Sequence, residues 1–248
     1  IVGQDQKPVF IIDHEVDIPE PPGLEIRSSG LWADLVVESP LEYFSVGVEA
    51  FGIVLDDPVE AYGDMRGERI PVGIDLGWAT DSYSEQSDDS ELWAFHYEVT
   101  TRYEIPCRVS GEIQIGENKS QVDGWGQRDH SWAERDWWDK GWTWFSGRFN
   151  DGSRFHAVSV EGHQLGIGYH SSPEGLIGEN RVVSEPLLGH EGIPTSGHVK
   201  LGDTIIEFEP VAWAPVLLTD PDNGSISRFP RGLVSIQTDD GRTGHAWI

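Results

Sequence analysis

The sequence has a single cysteine, Cys107, a single methionine and only four lysines among 248 residues. With one cysteine the chain can form no internal disulfide and no thiolate cluster around a metal, which favours a cytoplasmic protein. No apolar run approaches the ~18 residues of a membrane-spanning helix, so we predict no membrane span. The GxSxG, Walker, GxGxxG and HExxH motifs are also absent, which removes support for nucleotide and nicotinamide chemistry.

Positive charge is scarce as well. The chain has 43 acidic and 17 basic residues, a net charge of −26. Such a surface repels phosphate backbones, so we predict no nucleic-acid partner. Two interpretations of the acidity stay open: a protein that dissolves in high salt, where ions screen the self-repulsion, or an acidic protein from a high-GC genome.

A sustained helical periodicity is missing too, and alternation of apolar and polar residues dominates. The one short helix that we predict covers Pro58–Met65, and Thr80–Ser90 and Ser171–Pro194 have the composition of irregular loops. Predicted strands cover Val9–Glu15, Leu31–Glu38, Tyr43–Leu55, Leu92–Ile105, Val109–Ile115, Trp142–Phe149, Phe155–Val160, Val199–Ile206, Glu207–Leu218, Gly232–Gln237 and Gly244–Ile248.

Turn signals separate these segments. Asn150-Asp151-Gly152, Asp222-Asn223-Gly224 and Asp239-Asp240-Gly241 are typical of hairpins between apolar runs. Many short strands with such turns predict an all-β, antiparallel fold, either barrel or sandwich. The strand candidates divide near residue 120, so we predict two β domains, 1–120 and 121–248.

The segment from Gly124 to Trp138 carries the densest chemistry, with arginines, carboxylates, a histidine and four tryptophans in fifteen residues. Large aromatics favour burial and ions favour water, so this mixture predicts buried arginine–carboxylate pairs beneath an aromatic wall. Arg128 with Asp129 or Asp136, and Arg135 with Glu134 or Asp136, are the available pairs.

If this segment is extended, Arg128, His130 and Trp132 share one face and Asp129 and Ser131 share the other. His130 then lies between an arginine and an indole, a setting that tunes its imidazole for proton transfer. A purely structural role is equally open, because buried arginine–carboxylate pairs commonly fix a domain junction.

Two further histidines are candidates for acid–base work. His96 and Glu98 are two positions apart on a predicted strand, so they can form an acid–base pair or, with His130, a metal site. Core packing is the simpler explanation of that pair, and we predict no metal. His156 follows the Asp151-Gly152 turn and can face the same cavity.

The run Gly124-x-Gly126-x-Arg128-Asp129-His130-Ser131-Trp132-x-x-Arg135-Asp136-Trp137 resembles the hallmark of a mostly uncharacterised set of actinobacterial and archaeal proteins. These proteins are related to carotenoid 1,2-hydratase (hydroxyneurosporene synthase) and to the AttH-like proteins. The resemblance extends to essentially the whole chain through His96-Tyr97-Glu98, Trp142-x-Trp144, Leu31-Trp32-Ala33-Asp34, Pro40-Leu41-Glu42 and Asp240-Gly241-Arg242-x-Gly244.

What the resemblance implies is a pair of lipocalin-like antiparallel β-barrel domains packed together, with the motif beside an apolar ligand cavity. The sequence starts at Ile1 without a methionine, so we expect the first barrel to lack N-terminal residues here. Hydratases of this set add water to an isoprenoid double bond without a cofactor, and their Asp-His-x-Trp element corresponds to Asp129, His130 and Trp132. Their proton-donating aspartate has no counterpart here, because the strand Phe155–Val160 contains no carboxylate.

The leading hypothesis is a cofactor-independent hydratase, dehydratase or isomerase that acts on an apolar, isoprenoid- or steroid-like substrate, with a homodimer possible. In it the proton comes from His130, His156 or Glu98, Arg128 and Asp129 orient the histidine, and Arg135 with Asp136 forms a structural ion pair. The predicted substrate-binding residues are aromatic: Trp125, Trp132, Trp137, Trp142, Trp144 and Tyr97. The alternative is a lipocalin-like carrier that binds an apolar molecule without changing it.

Overall fold

The computed structural model describes residues 1, 7–13, 16–17, 19, 23–81, 94–96, 101–132, 137–138, 140–161 and 166–248, and for residues 94–96, 101 and 132 it describes the backbone alone. Contacts between Cα atoms divide the chain into two compact units. The first-sheet unit comprises Val9–Val54 and Arg66–Ala133, and the second-sheet unit comprises Ile1–Pro8, Leu55–Met65 and Glu134–Ile248.

The first-sheet unit is built on one antiparallel sheet. Its described strands are β1 (Val9–Phe10), β2 (Ile26–Arg27), β3 (Leu31–Ser39), β4 (Tyr43–Val54), β5 (Glu68–Thr80), β6 (Ala94–His96), β7 (Thr101–Ile115) and β8 (Asn118–Trp132). They lie in the order β2-β3-β4-β5-β7-β6, with β1 paired to β4 and β8 paired to β7. The predicted boundary between residues 120 and 121 falls within β8, and the division into two separate domains stays a prediction.

The second-sheet unit contains a longer antiparallel sheet and a separate hairpin. The described strands are β9 (Trp142–Phe149), β10 (Arg154–Val160), β11 (Gly166–Ser172), β12 (Gly175–Glu179), β13 (Val182–Leu188), β14 (Pro194–Leu201), β15 (Thr204–Trp213), β16 (Val216–Thr219), β17 (Ile226–Phe229), β18 (Gly232–Thr238) and β19 (Thr243–Trp247). The sheet runs β12-β11-β10-β9-β19-β18-β15-β14-β13, and β16 pairs with β17.

This second sheet curls, so that β13 at one end of the strand order approaches β11 near the other end. A Cβ added at Gly166 of β11 would lie 2.7 Å from the Cβ of Val182 on β13, so the two strands approach closely. The result is a nearly closed antiparallel barrel. The predicted all-β, lipocalin-like fold class is confirmed.

Most turns are where the sequence places them. The three Asn/Asp-Gly turns connect β9 to β10, β16 to β17 and β18 to β19. The strand predicted over Val199–Ile206 is wrong, because Gly202 takes φ +60° and turns the chain between β14 and β15. The stretch Ser171–Pro194, predicted to be irregular, contains β12 and β13.

Helical turns are short. Among the described residues they are the 3₁₀ turns Pro58–Tyr62 and His190–Gly192, the first capped by the Asp57 carboxylate, which accepts from the Val59 backbone N–H. The helix predicted over Pro58–Met65 is therefore shorter than expected. No helix in the described ranges is long and apolar enough to cross a membrane.

The core of the second-sheet unit fills the space that the curled sheet encloses. Its buried side chains come from seven strands: Phe145, Phe149, Phe155, Ala157, Val182, Val199, Leu201, Ile206, Phe208, Val234, Ile236 and Ala246. The ring of Phe145 lies 5.2 Å from that of Phe155 and 5.7 Å from that of Phe208, measured between centroids. Such an aromatic cluster occupies the interior with packed side chains.

The first-sheet unit differs, because its apolar face is only partly covered. Leu76, Ile105, Cys107 and Val109 are buried there, whereas the neighbouring side chains are half-buried: Ile74, Trp78, Tyr103, Ile113 and Val122. An apolar face with this exposure offers surface to an apolar ligand.

We expect Phe145→Ala to lower the free energy of unfolding by about 3–5 kcal/mol, because it removes a fully buried ring and leaves a cavity. Ile177→Ala is the matched control, since Ile177 is 65% exposed and its loss costs within about 0.5 kcal/mol. Urea unfolding followed by circular dichroism measures both. Equal destabilisation by the two variants would contradict the packed-interior description.

Candidate active site

The motif around His130 lies on β8, which pairs with β7 from Ile115 opposite Asn118 to Thr101 opposite Trp132. The two strands are joined by a tight turn in which Gly116 adopts φ +60°. Because opposite residues of an antiparallel pair share a face, this register determines which side chains meet. The predicted alternation of the motif is therefore observed for the described side chains.

His130 meets Tyr103 on the face that carries the apolar residues. Tyr103 lies directly opposite His130, and its hydroxyl is 3.0 Å from the histidine Nδ1 atom. The two rings stand edge to face, 5.2 Å apart. A phenol that is hydrogen-bonded to one ring nitrogen orients the imidazole. Arg128 and Asp129 were the residues predicted to orient it.

Arg128 lies beside this pair, with its guanidinium over aromatic rings. Its Cζ atom is 3.8 Å from the ring centroid of Phe44 on β4 and 5.4 Å from that of Tyr103. Nη2 donates to the backbone carbonyl of Leu41 at 3.1 Å. Since β5 and β7 separate β4 from β8 in the sheet, this reach shows that the face is concave.

The Leu41 carbonyl is aimed by an unusual backbone conformation. Leu41 has φ +63°, in the left-handed region that non-glycine residues rarely adopt. Its carbonyl accepts from the hydroxyl of Thr80 at the end of β5 as well as from Arg128. Backbone strain of this kind costs of order 1–3 kcal/mol and is typical of functional sites.

Burial shifts the pKa values of Tyr103, Cys107 and Arg128 on this face. It raises the pKa of the Tyr103 hydroxyl, an effect that Arg128 opposes and Asp129 reinforces, so the phenol stays protonated near neutral pH. It also raises the pKa of the Cys107 thiol to about 11, which leaves the thiol protonated and unreactive. The same desolvation lowers the pKa of Arg128.

The opposite face of the β7–β8 pair carries a buried ionic network. Glu104 is fully buried and accepts from Arg102 through Nε at 3.1 Å and through Nη2. Arg102 Nη2 also lies 3.5 Å from the Asp129 carboxylate, and Gln127 donates to the second Glu104 oxygen at 3.3 Å. Asp129 and Arg128 thus project to opposite faces of β8.

Most of the other predicted site residues lie elsewhere. Trp125 is on the Asp129 face of β8, where the Cζ atom of Arg108 is 4.4 Å from its ring centroid. Trp137 and Trp142 pack with Phe229 in the second-sheet unit. Six predicted site residues are not described at side-chain level. The structure describes only the backbone of His96 and Trp132, and Tyr97, Glu98, Arg135 and Asp136 lie outside the described residues.

His156 and Trp144 belong to the second-sheet unit. His156 is fully buried on β10, with its ring 5.4 Å from that of Trp144 and 5.7 Å from that of Tyr169. The described members of the predicted tryptophan set are therefore divided between the two units, with Trp125 on the Asp129 face of β8 and the others in the second-sheet unit. Their role in substrate binding stays a prediction.

Sequence reasoning missed the residues that complete the site, which are Leu41, Phe44, Thr80, Tyr103 and the Arg102–Glu104 pair. Arg102 and Glu104 are two apart on a strand, the spacing that was noticed for His96 and Glu98. Phe44 and Leu41 are 84 and 87 positions from Arg128, and no local pattern signals a contact across that separation. Among the described residues, no group of histidine, cysteine and carboxylate side chains could hold a metal ion.

Fold and site together define an all-β protein whose first sheet presents a concave, partly exposed apolar face with a tyrosine–histidine pair and an arginine. The chain belongs to the family described as "Domain of unknown function (DUF7064)", whose model matches residues 1–248. No curated protein matches the chain in sequence.

Solved structures resemble the chain in fold. A candidate AttH from Nitrosomonas europaea is 13% identical, with a TM-score of 0.51 over 88% of this chain and 85% of that one. Kievitone hydratase from Nectria haematococca is 10% identical, with a TM-score of 0.48 over 91% of this chain and 83% of that one. The AttH likeness speaks for the fold and agrees with the superfamily that the motif resembles, whereas the particular branch stays a prediction.

The two glycines of the Gly124-x-Gly126 motif supply a matched test of the site's packing. A Cβ added at Gly126 would lie 2.2 Å from the Trp78 ring, whereas one added at Gly124 meets nothing within 4 Å. We expect Gly126→Ala to cost about 1–3 kcal/mol of unfolding free energy and Gly124→Ala within about 0.5 kcal/mol, by urea unfolding. Comparable losses of unfolding free energy in the two variants would show that the Trp78 ring does not pack closely against Gly126.

The buried pair beneath the site is expected to be structural. Glu104→Gln leaves the Arg102 charge buried without its closest partner and should cost about 3–5 kcal/mol of unfolding free energy. Asp129→Asn removes a more exposed carboxylate at the longer distance and should cost less than about 1 kcal/mol. If thermal or chemical unfolding ranks the two in the reverse order, Asp129 is the main partner of Arg102.

Proposed function

We propose that this protein is a hydratase or dehydratase of apolar substrates, with the Tyr103–His130 pair moving the proton at the edge of the concave face. The observation that carries the proposal is the 3.0 Å contact between the Tyr103 hydroxyl and His130 Nδ1. It lies beside half-buried apolar side chains, which offer an apolar skeleton a surface to pack against.

Adding water to a double bond needs a proton donor for one carbon and a water oxygen for the other. In the protonated imidazole, Nδ1–H donates to the Tyr103 oxygen. As the phenol O–H proton moves to the substrate carbon, the imidazole proton moves to the phenol oxygen, so no tyrosinate accumulates. Water then forms the carbon–oxygen bond, and the proton that it loses restores the imidazolium.

The raised pKa of Tyr103 fits this scheme, because it keeps the phenol protonated until the histidine supplies a replacement proton. Trp78 and Tyr103 place aromatic surfaces on the same face, which can stabilise positive charge that develops on the substrate. Elimination of water follows the same steps in reverse, and a shift of the double bond uses the proton transfers alone. No step moves electrons to or from a cofactor.

The substrate class that fits the face is an isoprenoid- or steroid-like skeleton, because its partly covered residues are aliphatic and aromatic. The enclosed interior of the second-sheet unit is already occupied by the Phe145 cluster. Ligand surface on the described residues is therefore offered by the first sheet. A carrier protein would bind its ligand on the same face. It would differ from a hydratase only in releasing the ligand chemically unchanged.

We expect Tyr103→Phe and His130→Gln each to lower kcat by ~10²–10⁴-fold while the protein stays folded, because each removes one half of the proton relay. The measurement is incorporation of ¹⁸O from labelled water into a panel of apolar alkenes, followed by mass spectrometry. Tyr43→Phe is the matched control, since Tyr43 is an exposed tyrosine of the same sheet and should retain activity.

Two results would count against the proposal. Wild-type turnover that persists in both Tyr103→Phe and His130→Gln would remove the pair from the mechanism. An apolar ligand that binds wild-type protein and is recovered without ¹⁸O, across the panel, would instead support the carrier.

A further inference from the structure

Arg128 carries a positive charge that no described carboxylate neutralises. Its guanidinium donates a hydrogen bond to the Leu41 carbonyl and makes cation–π contacts with the rings of Phe44 and Tyr103. It forms no ion pair among the described residues. The Nε and Nη1 atoms are buried and have no hydrogen-bond partner there. A desolvated guanidinium with unused donors is costly, and an anion is the ligand that offsets this cost best.

The position of this guanidinium is fixed before any ligand arrives. Nη2 is held by the carbonyl of Leu41, which the Thr80 hydroxyl also contacts, and one face of the group lies on Phe44. Preorganised donors lose little freedom when they bind an acceptor, so they discriminate strongly between ligands. Every group in this arrangement belongs to the first-sheet unit.

We infer that the apolar molecule taken by the concave face bears a carboxylate, and that the Arg128 guanidinium binds this carboxylate. The inference rests on the proposed function for the location of the ligand and adds its polar group. The apolar skeleton lies over the half-buried side chains of the sheet, and the carboxylate anchors one end beside Tyr103 and His130. The substrate class is thus an apolar acid.

The net negative charge of the chain does not prevent Arg128 from binding a carboxylate at ordinary salt concentrations. The Debye length at 0.15 M salt is about 8 Å, so distant surface carboxylates are screened, whereas a partly buried pair is screened much less. A neutral alcohol or ester of the same skeleton would leave the guanidinium charge uncompensated. The difference between acid and alcohol therefore isolates the contribution of Arg128.

The test compares farnesoate with farnesol, which share an isoprenoid skeleton, by calorimetric titration at 0.15 M salt. We expect wild-type protein to bind farnesoate about tenfold or more tightly, as one charge-assisted hydrogen-bonded contact would give. Arg128→Gln should abolish this preference. Arg108→Gln is the matched control, because it removes the same charge from the opposite face of the same strand pair and should retain the preference.

The wild-type comparison decides the matter even if Arg128→Gln fails to fold. Equal affinities for the two probes, or no binding of either, overturn the inference, as does a preference that survives in Arg128→Gln. Turnover that depends on Tyr103 and His130 without any preference for acids overturns this inference and leaves the proposed function standing. A preference for farnesoate with no turnover of any substrate supports this inference and overturns the proposed function.

Discussion

The register of β7 against β8 is the constraint on which the rest of the first sheet depends. Side chains alternate between faces, so a slip of one residue would exchange the two sets completely. In the observed register Tyr103 meets His130 on the apolar face, and Glu104 meets Asp129 on the ionic face. A single ladder of paired backbone groups thereby places the Tyr103–His130 pair and the buried salt bridge on opposite faces, although they are one residue apart in sequence.

The two units use their apolar residues differently. The second sheet curls until β13 approaches β11 and fills its interior with phenylalanines, so its hydrophobic residues stabilise the fold. In the apolar cluster of the first sheet four of the described residues are buried but those packed around them are only half-buried, and Arg128, Tyr103 and His130 stand at the edge of that face. Under the proposed function, ligand recognition and stability are carried by separate sets of side chains, which allows a strained, polar site to persist.

Several predictions failed where local composition and long-range pairing disagree. The stretch Ser171–Pro194 contains glycine, proline and glutamate, which predict a loop, yet β13 forms there because β14 supplies its hydrogen bonds and the interior takes up Val182. Conversely, Val199–Ile206 has strand character throughout, but Gly202 and Asp203 turn the chain inside it. Strand propensity depends on the partner strand, so a single segment cannot reveal it.

The sequence by itself determined the all-β class, the three Asn/Asp-Gly hairpins and the alternation that places Arg128 with His130, because these depend on neighbours within a few residues. Only the tertiary structure decided the partners of those side chains. Tyr103 reaches His130 through strand register, and Leu41 and Phe44 reach Arg128 through the curvature of the sheet. Contacts of that kind join residues that are distant in the chain, and no periodicity records them.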